Sequence, residues 1–123
     1  MYHLTIQTHF AAAHNLLNYQ GECEKLHGHN WKIEVTVNTE SQDKAGLGID
    51  FKILKKHTKK IMEFLDHTYL NDLEPFKGVS PSSEHIAKYI YDALVVDLRD
   101  YQVNVERITV WESENACASY TET

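Results

Sequence analysis

The stretch Cys23-Glu24-Lys25-Leu26-His27-Gly28-His29-Asn30-Trp31-Lys32-Ile33-Glu34-Val35-Thr36-Val37 decides how this chain is read. Trp31, Ile33, Val35 and Val37 fall on odd numbers with polar residues between them, the period-two pattern of a strand with one buried face. Side chains two apart on a strand point the same way. His27 and His29 therefore project together from the face that carries the core. Two imidazoles side by side call for a third ligand, because a catalytic zinc takes three protein ligands and keeps a fourth position for water or substrate. Upstream, Phe10, Ala12 and His14 alternate with the same period, so an antiparallel neighbour without a bulge would bring His14 to the pair. Cys23 lies in a polar loop just ahead of it, where a dication and imidazoles favour thiolate over thiol.

Working outward, residues 2–14 read as the first strand and 26–38 as the second, joined by a loop over 15–25. His3 and His9 have the opposite parity to His14 and read as non-ligands. After a polar turn containing Gly46 and Gly48, Asp50 is suited to cap a helix over 50–64, with Phe51, Leu54, Ile61 and Leu65 on one side and lysines on the other. That helix delivers Asp66 and His67 just past its end. Residues 66–80 include Pro75 and Gly78 and are expected to be irregular, and Ser80-Pro81 then opens a second helix over 81–98 with proline at its first position. Val103 and Val105, followed by Ile108 and Val110, read as a strand whose phase shifts at Glu106-Arg107, and 115–121 as a last short strand. Glu112 shares the parity of Ile108 and Val110, so its carboxylate points to an otherwise apolar face, and a buried acid needs a partner.

Strand, strand, helix, helix, strand, strand is an α+β order. The expected architecture is a four-stranded antiparallel sheet with two helices on one face, in a single domain over 1–123. Sheet edges of that length tend to be covered, which points to an oligomer. The formal net charge of −6 argues against a nucleic-acid partner, whose phosphates call for a basic surface. The lysines at 52, 55, 56, 59 and 60 read as the solvated side of the first helix. No apolar run reaches the ~18 residues of a membrane span and the N-terminus does not read as a signal peptide, so a cytoplasmic protein is expected. Cys23 and Cys117 are too few to form a disulfide framework.

Five landmarks in order, Phe10-Ala11-Ala12-Ala13-His14, Cys23-x-x-x-His27-Gly28-His29, Leu65-Asp66-His67 with Leu70-Asn71-Asp72, Pro81-Ser82-Ser83-Glu84, and Glu112, resemble the 6-pyruvoyl-tetrahydropterin synthase family. Within it the short Cys-x-x-x-His spacing is most like the bacterial-type 6-carboxy-tetrahydropterin synthases of queuosine biosynthesis. The resemblance implies the tunnelling fold, in which three subunits join their sheets into a barrel and two such rings stack as a homo-hexamer. It implies a zinc-dependent lyase with metal ligands His14, His27 and His29, and Cys23, Asp66 and His67 as a catalytic triad drawn from different subunits. It further implies that Glu112 anchors the pterin ring, with help from the backbone near Ser82 and Ser83. The substrate would be a small pterin triphosphate, with neither nucleic acid nor membrane as partner. Two other readings stay open: the sister activity giving 6-pyruvoyl-tetrahydropterin, and a non-catalytic zinc- or pterin-binding module in which Cys23 closes the metal site. Asn15 and Glu24 depart from the branch's pattern, standing where a basic residue and a glycine are often found.

Overall fold

The structure, a computed structural model, describes residues 1–21 and 24–122. Strand β1, Tyr2–His14, and strand β2, His27–Thr39, form a hairpin of 13 residues a side. Their register is unbroken from Tyr2 opposite Thr39 to His14 opposite His27. Phe10 therefore faces Trp31 across the ladder, and Ala12 faces His29. Helix α1, Phe51–Leu65, starts where Asp50 accepts a hydrogen bond from the Lys52 N–H at 2.8 Å. Its inner face is Leu54, Thr58, Ile61, Met62 and Leu65. Phe51, assigned to that face by spacing, is instead 48% exposed at the first position of the helix.

The segment expected to be irregular holds two single 3₁₀ turns, Leu70–Asp72 and Glu74–Phe76, and a short strand β3, Thr68–Tyr69. β3 pairs in parallel with Ala12 and Ala13, so the sheet has five strands in the order β3-β1-β2-β4-β5 instead of four antiparallel ones. Helix α2, Ser83–Asp97, begins two residues later than the Ser80-Pro81 signal suggests. The Ser82 hydroxyl accepts from the His85 N–H at 3.2 Å and so takes the cap position. This leaves Pro81 buried ahead of the helix, with its carbonyl free to serve the site.

Strand β4, Asn104–Ser113, pairs antiparallel with β2, and strand β5, Ala116–Tyr120, pairs with β4. Thr36 pairs with Arg107 but Val37 pairs with Val105, so Glu106 is an extra residue, a β-bulge. The bulge explains the phase shift read in the sequence: Val105 is buried before it and Ile108 and Val110 after it. Both helices pack on one face of the sheet, over Phe10, Trp31, Ile33, Val35, Ile108 and Val110. At the edges, β3 covers β1 only at Ala12 and Ala13, and β5 is terminal in the order, so residues 2–10 of β1 have no neighbouring strand on that side among the described residues.

Candidate metal centre

The hairpin register places His14, His27 and His29 at one end of the core face, and β4 adds Glu112 beside them. One ligand atom from each of these four residues lies within 4.8 Å of every other. His14 is 2% exposed, and the rings of His14 and His29 pack edge-on against Trp31 at centroid distances of 4.9 and 5.1 Å.

The hydrogen bonds fix the tautomers of two rings. His14 Nδ1 lies 2.8 Å from the Pro81 carbonyl, and His27 Nδ1 lies 2.8 Å from the Lys25 carbonyl. A carbonyl only accepts, so both Nδ1 atoms carry the proton and both neutral rings present a lone pair at Nε2. Those two Nε2 atoms face each other at 3.1 Å. Opposed lone pairs repel unless a proton or a cation lies between them. At the third imidazole, His29 Nε2 is buried and makes no hydrogen bond, although Glu112 Oε1 approaches it out of line to 3.0 Å. Burial, followed by the nearby His14 and His27, holds His29 below the usual imidazole pKa, opposed by the Glu112 carboxylate. A neutral imidazole is the form that binds metal. The spacings of 3.0, 3.1 and 3.6 Å among these atoms bracket the edge of a tetrahedron around an ion held at zinc–nitrogen distance, about 3.4 Å. The residues fit a metal ion.

Asp66 and His67 sit where α1 gives way to β3, at the outer edge of β1. Asp66 Oδ1 accepts the Ala11 N–H at 2.8 Å, and the His67 N–H donates to the Ala11 carbonyl at 2.5 Å. The pair is therefore clipped to β1 by the backbone of a single alanine. His67 takes a left-handed conformation, φ +56°, which turns its ring back so that Nδ1 lies 2.8 Å from Asp66 Oδ2. The Ala11 N–H, and next the His67 side chain, hold Asp66 below the ordinary carboxylate pKa. With a depressed native pKa, the stabilisation is present above the unfolded-state value and is lost as pH falls through the native one. Asp66→Asn is accordingly expected to be less stable than the parent near about pH 7, with the difference shrinking as pH falls through the carboxylate range, as urea titrations across that range will show. The His67 side chain is 82% exposed. Its ring and His29 border the same open groove of about 470 Å³, with Ala11 to Ala13, Gly28 and Asn30 between them.

The loop after His14 is gripped by side chains that imitate backbone. Asn71 accepts the Asn15 N–H at 3.1 Å and donates to the Asn15 carbonyl at 2.8 Å. Ser80 does the same for Leu17, at 2.7 and 3.1 Å. Glu24 closes the far side, its carboxylate accepting the Leu16 N–H at 3.1 Å and its own N–H donating to the Leu16 carbonyl at 3.0 Å. Ser82 and Ser83 open α2 directly after Pro81, whose carbonyl orients His14, so they enter the site region through the chain. Cys23 lies outside the described residues. The holding groups Pro81, Lys25, Asn71 and Ser80 were not found from the sequence, and the two carbonyls leave no side-chain signal there. A second cavity, of about 490 Å³, runs between the open edge of β1 and α1 past Gln7, His9, Lys55 and Lys59. Glu63 and Asp66 also line it, but the grouping of metal-ligating side chains found among the described residues, His14, His27, His29 and Glu112, lies outside it.

Residues 3–123 match the family model described as 6-pyruvoyl tetrahydropterin synthase. The chain belongs to this family. Among family relatives, it is 38% identical over 90 residues to a 6-carboxy-5,6,7,8-tetrahydropterin synthase of Synechocystis, covering 69% of this chain and 68% of that one. It is 32% identical over 102 residues to a 6-pyruvoyl tetrahydrobiopterin synthase of Dictyostelium discoideum, covering 81% and 73%. In structure it resembles the 6-pyruvoyl tetrahydropterin synthase of Plasmodium falciparum, with a TM-score of 0.78 and 25% identity over 98% of this chain and 97% of that one. The α+β tunnelling fold expected from the sequence is thereby shown, with one short strand more. No described helix is long and apolar enough to cross a membrane.

Proposed function

We propose that this chain is a zinc-dependent 6-carboxy-5,6,7,8-tetrahydropterin synthase. It converts 7,8-dihydroneopterin triphosphate and water to 6-carboxytetrahydropterin, acetaldehyde and triphosphate, in the cytoplasmic route to queuosine. The observation that carries this reading is the pair of Nε2 lone pairs of His14 and His27, 3.1 Å apart and locked in that tautomer by two carbonyls. When bound among the three imidazoles, zinc supplies Lewis acidity toward side-chain oxygens of the substrate and so acidifies the neighbouring C–H bond.

The chain's own groups then move the protons. Cys23, as a thiolate, takes the carbon-bound proton. His67 exchanges a proton with the substrate at its Nε2, while Asp66, hydrogen-bonded at Nδ1, fixes the tautomer and balances the imidazolium. The dyad belongs to the outer edge of the sheet and its imidazole is exposed. This supports an oligomer in which the dyad completes the site of a neighbouring subunit, and the family resemblance implies that it is a homo-hexamer built as a dimer of trimers. Glu112, with the backbone at Ser82 and Ser83, receives the pterin ring as an acceptor for its 2-amino and N3–H groups.

The Cys-x-x-x-His spacing and the Synechocystis relative favour the carboxy product, whereas the Dictyostelium relative's name favours 6-pyruvoyl-tetrahydropterin. Incubation of the zinc-loaded protein with dihydroneopterin triphosphate, followed by mass spectrometry, decides between them. The expected pterin has lost the two-carbon fragment as acetaldehyde; a product that retains all three side-chain carbons overturns the assignment. Cys23→Ala is expected to keep its zinc and lose about 10²–10⁴-fold in turnover.

A further inference from the structure

On β4, beyond the bulge at Glu106, Glu112 follows Ile108 and Val110 onto the core face. Its carboxylate ends 3.0 Å from His29 Nε2 and 3.6 Å from His14 Nε2. The approach to His29 is out of line for a hydrogen bond, and that nitrogen is buried without a hydrogen-bond partner. Glu112 is thus about as close to His29 and His14 as the nitrogens of His14 and His27 are to each other, and all four ligand atoms lie within 4.8 Å of one another. An oxygen and a nitrogen in contact without a hydrogen bond is the arrangement of two donors to a common cation.

We propose that Glu112 is the fourth ligand of the metal in the substrate-free protein, and that a ring with adjacent 2-amino and N3–H donors draws it off and opens the metal to substrate oxygens. This rests on the proposed function, which gives Glu112 to the pterin. The two ring hydrogens engage both carboxylate oxygens, and each N–H drawn to an oxygen weakens it as a metal donor, so the two engagements compete. The choice between them couples recognition of the ring to exposure of the metal. Glu112 is suited to both because its side chain is 38% exposed, at the boundary between core and solvent. Binding of the wrong molecule leaves the metal closed by four protein donors, the coordination of inert structural zinc sites.

The probe is the cobalt-substituted protein, read by visible absorption, with zinc affinity measured by chelator competition. Without substrate, Glu112→Gln is expected to change the cobalt bands and weaken zinc binding by more than about 100-fold, beyond the loss that removing an outer-shell partner causes. Glu112→Asp, which keeps the charge, should recover part of both, and circular dichroism confirms that each variant is folded. A pterin lacking any side chain at C6 is expected to alter the cobalt bands of the parent but not of Glu112→Gln. Identical bands and zinc affinity in parent and Glu112→Gln overturn the proposal while leaving the proposed reaction standing. Failure of the parent to take up cobalt or zinc overturns the metal reading beneath both.

Discussion

His14→Ala is expected to leave the protein folded but unable to hold its metal. His14 is the most deeply buried of the four clustered side chains, and its Nδ1–H is spent on the Pro81 carbonyl, so its Nε2 lone pair is committed to the centre. The substitution removes that lone pair and strands a buried carbonyl, which alone destabilises by about 1–3 kcal/mol. Loss of an outer-shell partner weakens metal binding by about 10- to 100-fold, and loss of a ligand should exceed this. Chelator competition on purified protein measures it. Retention of one tightly held zinc per chain would exclude His14 as a ligand, and with it the metal centre proposed above.

Trp31→Ala is expected to reduce stability by about 3–5 kcal/mol, the cost of deleting a large buried aromatic. Trp31 is fully buried, stacks on Phe10 at 6.0 Å, and donates its indole N–H to the Ala12 carbonyl at 3.3 Å. It also forms the wall against which His14 and His29 stand edge-on. The same change should therefore loosen the imidazoles as well as the fold. Urea unfolding of the metal-free and zinc-loaded forms separates the effects: the zinc-dependent increment in stability should shrink along with the baseline. An unchanged increment would mean that the ligands hold their positions without the indole.

These outcomes bear on what the sequence could reveal. Convergence of His14, His27 and His29 follows from parity alone, because the first hairpin pairs without a bulge from end to end. Glu112 could be placed on the core face for the same reason, but its distance to the imidazoles depends on how β4 lies against β2, which periodicity does not encode. β3 has only two residues, too few to show any period, and exists because Asp66 and His67 dock on Ala11. The start of α2 was misplaced because proline at a first helical position and serine at a cap are competing signals, and the Ser82 hydroxyl prevailed. The loop departure at Glu24 acquires a meaning only in three dimensions, where its carboxylate ties Leu16 down in place of the freedom a glycine would give.

The extra residue in β4 is absorbed where it stands. Removing Glu106 would join Val37–Val105, Thr36–Arg107 and Val35–Ile108 into one regular ladder, so the residues beyond it would keep their sides, with Ile108 and Val110 inward and Glu112 toward the histidines. A lineage could thus lose this codon and keep the centre, whereas a one-residue change between Arg107 and Glu112 with no bulge to absorb it would exchange the two faces and turn the carboxylate away.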